Sequence, residues 1–335
     1  MGAELSVVVS TLGNYGGLGR VLDRYGEQDA PAGSFEVIVV VDRADPDPAA
    51  AEAAIGARPY PVRRLRGAIP GLSANRNAGW RSASGALALF TDNDTMPEPQ
   101  LVSEHLARHR ERPEQEVAVL GHVRWAREVR VTPFMHWLDH GLQFDYPAIE
   151  GTEAGWGRFY GANVSAKRDF IERVGGFDEQ RLPYGYEDLD FGYRASKLGL
   201  RLLYDRRAVV EHLREFDLAF FKRRLRRTAF AEHEFVRKHP ELEPYLERMF
   251  RHAARLERGS GRGRHLIRWV PRSVPLLGER AWRSADLYYR QELAPDFLEA
   301  WEEAESAPPS EGPVAPLVAE LEPSGPEAPS PGGPK

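Results

Sequence analysis

The sequence predicts an α/β protein built on a parallel, doubly wound sheet. Short apolar runs, Leu5–Ser10, Phe35–Val41 and Leu87–Thr91, alternate with segments of helical character. Each run stops at a polar or acidic turn: Thr11, Asp42, and the pair Asp92 and Asp94. In such sheets ligands bind beyond the carboxyl ends of the strands, so the three turns are expected to share one site.

Taken in order, the first run opens into a glycine-rich turn from Thr11 to Gly19 and a helix through Tyr25. The second ends at Asp42, followed by the loop Asp45-Pro46-Asp47-Pro48 and a helix over 49–57. A third strand is read over 61–65, and a helix over 73–83 with Gly85 as its stop. After Leu87–Thr91 come a helix over 101–110 and two strand-like pieces, 117–121 and 122–125. Residues 132–160 are aromatic-rich and irregular, and 167–174 is helical up to Gly175-Gly176. Glu187-Asp188 opens a helix to about Leu198, and 201–204 and 208–210 are short strands before His212. From Leu218 the pattern is helical and basic, and a second Arg-rich stretch covers 251–272. From 303 onward the chain is Pro/Glu/Ala/Ser-rich, which predicts disorder because it offers too little apolar surface to offset ordering.

The bulk composition narrows the classes. A chain of 335 residues with 42% hydrophobic content can bury a sizeable core. Its net charge of −5 gives no argument for nucleic acid. The absence of cysteine excludes disulfides, thiolate zinc sites and cysteine nucleophiles, and fits a reducing, cytoplasmic setting. No apolar stretch approaches transmembrane length. The N-terminus enters a strand almost at once, so no signal peptide is expected; the loose myristoylation match over residues 1–6 is taken as chance.

Thr91-Asp92-Asn93-Asp94 is the stretch with the most chemistry. Two carboxylates one residue apart at a strand end are hard to leave unpaired. A divalent cation resolves that, and such a cation typically also takes substrate phosphates. The competing reading is an acidic turn in which Asp94 caps the next segment.

The motifs in their order resemble the family 2 glycosyltransferases. They are Val7-Val8-Val9-Ser10-Thr11; Val39-Val40-Val41-Asp42; Gly71-Leu72-Ser73-Ala74-Asn75-Arg76-Asn77-Ala78-Gly79 with Thr91-Asp92-Asn93-Asp94; and Gly161-Ala162-Asn163 with Gly185-Tyr186-Glu187-Asp188, then His212. The resemblance implies a GT-A type nucleotide-sugar-binding doubly wound sheet over 1–215, with a nucleotide half at 1–97 and an acceptor half at 98–215. A helical basic region over 216–302 and the tail at 303–335 follow.

By the resemblance, Asp94 holds Mn²⁺ or Mg²⁺ against the donor diphosphate, with His212 as a further metal or diphosphate contact. Thr11, Asp42, Gly71, Asp92 and Asn93 contact the nucleotide or donor. Arg76 is either a phosphate contact or a structural ion pair, for instance with Asp92. Asp188 is the general base toward an acceptor hydroxyl in an inverting displacement, with Glu187 orienting the acceptor or pairing with Arg194. Gly161 and Asn163 lie near the donor sugar. Trp156 and Tyr186 face sugar or acceptor, although the aromatics of this region fit a core equally well. The donor implied is a UDP-, dTDP- or GDP-sugar, and the acceptor a carbohydrate, a lipid-linked glycan or a small molecule. The turn Asp42-Arg43-Ala44-Asp45 departs from the family's usual polar turn, which leaves the base contacts open.

Two alternatives share the fold or its sheet. A sugar-1-phosphate nucleotidyltransferase needs a Gly-x-Gly-Thr-Arg-like loop that Thr11-Leu12-Gly13-Asn14-Tyr15 lacks. A non-catalytic glycan- or nucleotide-binding protein of the same fold has no need for both Asp94 and Asp188. The Arg/Phe-rich segment 216–237 reads either as a helix packed on the catalytic domain or as a peripheral membrane contact. A helical C-terminal region also allows a homodimer.

Overall fold

The structure, a computed structural model, describes residues 2–307. Its centre is an eight-stranded mixed sheet. The chain begins β1 (Leu5–Thr11), α1 (Tyr15–Tyr25), β2 (Phe35–Val41), α2 (Pro48–Ile55), β3 (Val62–Arg66), α3 (Leu72–Ser82) and β4 (Leu87–Asp92). It continues with β5 (Thr95–Pro97), α4 (Leu101–Glu111), β6 (Val117–Trp125), α5 (Pro133–Leu138), β7 (Asn163–Lys167), α6 (Arg168–Val174), α7 (Glu187–Ser196) and β8 (Arg201–His212). Three helices complete it: α8 (Leu218–Lys238), α9 (Tyr245–Arg255) and α10 (Leu277–Ser306).

The sheet order is β3-β2-β1-β4-β7-β6-β8-β5. The first four of these strands are parallel, as the alternating pattern predicts. β1 and β2 are buried along their whole length, which is why they read as unbroken apolar runs. The sheet is not parallel throughout. β7 runs antiparallel to both β4 and β6, and β5 antiparallel to β8.

β7 escapes the sequence pattern because Asn-Val-Ser-Ala-Lys is mostly polar, yet all five residues are buried. Its polar groups are satisfied from α4 and from the chain that leads from it into β6. His105 and His109 both bond the Ser165 hydroxyl at 2.8 Å, and Lys167 donates to the carbonyl oxygens of Arg112 and Val117. The paired strand-like pieces at 117–125 and 201–210 are single strands. A register shift at Gly121/His122 absorbs the turn-like Asp205-Arg206-Arg207 in the partner strand.

Two large cores are distinct, beside a small cluster of Leu182, Ala231 and Phe235. One is packed between the sheet and its flanking helices. The second is formed by α8, α9 and α10 together with Phe134, Met135, Trp137 and Leu138 of α5, so this piece of the aromatic segment groups with the C-terminal helices. α10 runs on through Ser306, past the expected start of the disordered tail. Trp301 and Ala304 are still packed, at 7% and 6% exposure. The rest of the expected tail lies outside the described residues.

Candidate functional site

The turns that end β1, β2 and β4 lie side by side, because β1 pairs with both neighbours in register up to Thr11↔Val41 and Ser10↔Asp92. Asn93 secures the first turn by donating to Thr11 Oγ1 at 2.8 Å and to the Gly13 carbonyl at 3.1 Å. Asp45, which sequence reasoning passed over as loop, fastens the same turn from the other side. It accepts from the Gly13 amide and the Tyr15 hydroxyl, each at 2.8 Å. The departure from the family's usual turn after β2 is therefore a tether.

Asp42 is turned inward, contrary to the expectation of an open base or ribose contact. It is 2% exposed, and its carboxylate accepts from the amides of Ala44 and Gly71 and from Asn75 Nδ2 at 2.6 Å. Gly71 is thereby placed as the amide that closes this loop. Its φ of 128° and its contact with Pro183 require glycine. Asn163 is likewise internal. Its side chain bonds His105 and donates to the carbonyl oxygens of His122 and Ala208, so it braces strands and does not face a sugar.

The acids of the two motifs meet at Arg76. This residue projects from α3 and is 2% exposed. Its guanidinium bonds Glu187 Oε1 at 2.8 Å and Asp188 Oδ1, and lies 3.8 Å from Asp92 Oδ1. The Gly161 amide donates to the other Asp188 oxygen at 2.8 Å. A Cβ at Gly161 would sit 2.2 Å from the Arg76 Nη2, so a side chain there would displace the guanidinium. Glu187 therefore pairs with Arg76. Arg194, the partner considered from sequence, bonds Asp190 instead. Buried Glu187 Oε2 and Arg76 Nε are left without a hydrogen-bond partner among the described residues. An orphaned acceptor of this kind is open to a donor from a ligand.

Burial pushes the Asp92 and Asp188 carboxyls up, each to about 7, and Arg76 opposes this. Burial is also set against the Arg76 guanidinium, but Asp188, Glu187 and Asp92 hold its charge firmly in place.

β5 pairs with β8 so that Thr95 faces His212, and the Leu213 amide donates to the Asp94 carbonyl. This brings His212 Nε2 to 3.9 Å from Asp94 Oδ1, and Arg214 Nε to 4.0 Å from Asp94 Oδ2. The His212 ring packs edge-on to Trp125, and burial lowers its pKa. Asp94, an acceptor-only carboxylate whose ion-pair partners among the described residues are these two at about 4 Å, fits a hard cation. His212 fits less directly. Its Nδ1 accepts from the Arg214 amide, which leaves the neutral ring's proton on Nε2, so metal ligation through Nε2 requires that amide to let go. Among the described residues no group of three or more His, Asp or Glu is arranged to hold a metal. A cation here would have to draw its other ligands from substrate oxygens and water, as Mg²⁺ commonly does.

Tyr186 has a φ of 58°, a conformation that a non-glycine residue adopts at a cost. Its hydroxyl donates to Glu232 at 2.6 Å, so its polar end is committed to α8. Trp156 is half-buried against Tyr193, with ring centroids 5.1 Å apart. α8 also pins the helix that carries Asp188. Lys238 and His239 each bond Asp190 at 2.8 Å.

A mixed sheet of this order, with acids at the carboxyl ends of its parallel half and a second acid pair facing them, is the GT-A type of glycosyltransferase fold. Residues 3–231 match the model described as "Glycosyltransferase like family 2", and the chain belongs to that family. It is 27% identical over 210 residues to a validoxylamine A glucosyltransferase of Streptomyces hygroscopicus subsp. jinggangensis (strain 5008), covering 52% of this chain and 46% of the relative. The chain thus spans about half the length of the curated relatives it matches. The mannosyltransferase PcManGT of Pyrobaculum calidifontis, solved with GDP-Man and Mn²⁺, superposes with a TM-score of 0.52 at 18% identity, over 92% of this chain and 77% of that one. TarS 1-349 of S. aureus in complex with UDP-GlcNAc gives 0.50 at 16%, over 90% and 91%. At these identities the likeness speaks for the fold.

Proposed function

We propose that the chain is a metal-dependent inverting glycosyltransferase, moving a sugar from a nucleoside-diphosphate sugar to an acceptor hydroxyl. The observation that carries this is the convergence of Asp92 and Asp188 on Arg76, which joins the donor-side and acceptor-side acids into one site. Asp94 would hold Mn²⁺ or Mg²⁺ against the diphosphate, and when bound such an ion neutralises the leaving group. His212 and Arg214 stand beside Asp94 and add hydrogen bonding and positive charge for the departing phosphates.

Asp188 takes the proton of the acceptor hydroxyl as its oxygen attacks the anomeric carbon. The bond to the diphosphate breaks on the opposite face, and the configuration inverts. Glu187, with one oxygen unpartnered, is set to accept from the acceptor and orient it. Arg76 is a positioning residue: it aims Asp188 and offsets the buried Glu187 together with the part-buried Asp92 and Asp188. Thr11 and Asn93 shape the turn under the nucleotide, and the half-buried Trp156 offers a ring edge for sugar or acceptor.

A UDP-, dTDP- or GDP-sugar fits as donor, in keeping with the UDP and GDP donors of the solved neighbours. The acceptor is a carbohydrate, a lipid-linked glycan or a small molecule; the Streptomyces relative is named as a glucosyltransferase of validoxylamine A. On this reading residues 1–215 are the catalytic unit, and the protein works in the cytoplasm, if need be at the inner face of the membrane.

The test is turnover of nucleotide sugars with Mn²⁺ or Mg²⁺, with and without candidate acceptors. Asp94→Ala and Asp188→Asn should each abolish it. Full activity in either variant sinks the assignment, and nucleotide-sugar synthesis from a sugar phosphate would point to a nucleotidyltransferase instead.

A further inference from the structure

We propose that the surface formed by residues 255–283 docks the protein peripherally onto an anionic lipid bilayer. Between Arg255 and Arg283 the chain carries eight arginines against two glutamates, in a protein whose overall charge is −5. Apolar side chains project from the same stretch. Trp269 is 76% exposed, Leu276 72% and Leu277 53%, with Leu266 and Val274 also exposed.

These residues are not merely loose chain. Ile267 and Trp282, from the same segment, are buried in the second core, and the turn of helix at Arg262–His265 packs along α10. The outward face is therefore fixed by the inward one. Leu276 holds a φ of 60°, a left-handed backbone that leucine adopts only at a cost, and it sets two leucines side by side at the head of α10.

The charges around this patch are mostly unspent. Arg258 pairs with Glu292 and Arg283 with Glu279, whereas Arg262, Arg268, Arg272 and Arg280 make no ion pair among the described residues. Arg268 lies over the Trp269 ring at 5.6 Å, which puts a cation beside the most exposed aromatic.

An amphipathic indole, aliphatic tips and a ring of guanidinium groups match the boundary between lipid headgroups and acyl chains. A nucleic acid would satisfy the arginines but leave Leu266, Val274, Leu276 and Leu277 in water. A second copy would cover the leucines but set arginine against arginine. Among the described residues no helix is long and apolar enough to cross a membrane. The Arg/Phe-rich segment read from sequence as a membrane candidate is not the contact, because Phe221, Leu225 and Phe235 of α8 are buried. The inference does not depend on the reaction proposed above.

Co-sedimentation of the full chain with vesicles of phosphatidylcholine, with and without phosphatidylglycerol, tests it. Binding to the anionic vesicles alone is expected, and it should weaken as salt rises. Arg268→Glu with Arg272→Glu should lower partitioning by well over tenfold, since each arginine near the surface is worth roughly fivefold. Trp269→Ser with Leu277→Ser should lose binding as well. Both variants should keep the wild-type melting temperature and nucleotide-sugar turnover in solution. The proposal fails if wild-type protein ignores anionic vesicles, or if folded variants bind as well as wild type. It fails equally if sedimentation velocity shows that the leucine and tryptophan changes dissolve a dimer while vesicles go unbound, which would make a second copy the occupant.

Discussion

Arg76 reaches Asp188 across 112 positions of sequence, and with the same guanidinium nitrogen it meets Glu187 at 2.8 Å. One buried cation thus serves the acids of both halves of the site. Replacing it with Met strands three carboxylates and should destabilise the fold by about 3–5 kcal/mol, the usual cost of removing one partner of a buried pair. Adding Glu187→Gln and Asp188→Asn to Arg76→Met should recover much of that. Urea unfolding of the single and triple variants reads the difference, and an Arg76→Met protein of wild-type stability would refute the clamp.

Gly161→Ala tests the aim of Asp188, the proposed base, without touching a charge. The added methyl group would meet the Arg76 guanidinium at 2.2 Å and push it off Asp188, whose other oxygen rests on the Gly161 amide. Displacement of about an ångström at a reacting group costs on the order of a hundredfold in rate. The loss should fall on kcat, with the donor KM little changed.

The pH dependence follows from the raised carboxyls. Burial lifts Asp188 and its neighbour Asp92 to about 7, and as the proposed base Asp188 works only when ionised. Turnover should therefore climb with pH through neutrality, on a limb that belongs to the coupled pair. An acid limb near pH 4 would mean that Arg76 outweighs burial. For stability the sign is opposite. The folded protein holds these protons to higher pH than the unfolded chain, so this contribution shrinks as pH rises from about 4 to 7.

Asp94 should govern the response to cations. With wild-type protein, a nucleoside diphosphate at a hundred times its Kd adds about 2.7 kcal/mol of stability. Mn²⁺ should be needed for most of that gain, and Asp94→Ala should remove the Mn²⁺-dependent part in a thermal-shift titration. His212→Gln separates ligand from hydrogen-bond donor. It should spare cation dependence if the ring keeps its proton on Nε2.

The histidines under β7 predict acid sensitivity. Burial drives His105 down to about 4 and His109 to about 2, so both stay neutral in the folded protein while the unfolded chain takes up protons below about 6.5. Their contribution to stability should therefore fall as pH drops from about 6.5 toward 4, by up to about 1.4 kcal/mol per pH unit for each ring, against the opposite contribution of Asp92 and Asp188. The difference in melting temperature between wild type and the variant with both rings replaced by glutamine, followed across that range, isolates it.

The parallel strands β1, β2 and β4, the turns that end them, and the acid pairs Asp92/Asp94 and Glu187/Asp188 were legible in the sequence, because apolar period and turn chemistry are local. Family membership was legible for the same reason, through short motifs in a fixed order. Tertiary structure alone decided what the acids do to each other. Arg76 could be read equally as a phosphate contact or an ion pair until α3 and α7 were brought together. Asp42 and Asn163 carried the right residue types, yet folding closes a loop over one and a strand pair over the other. β7 stayed hidden because its polar side chains are paid for by α4, a partner more than fifty residues away. Sequence reports what a segment prefers by itself. Which buried charge finds which partner is set by contacts between distant segments.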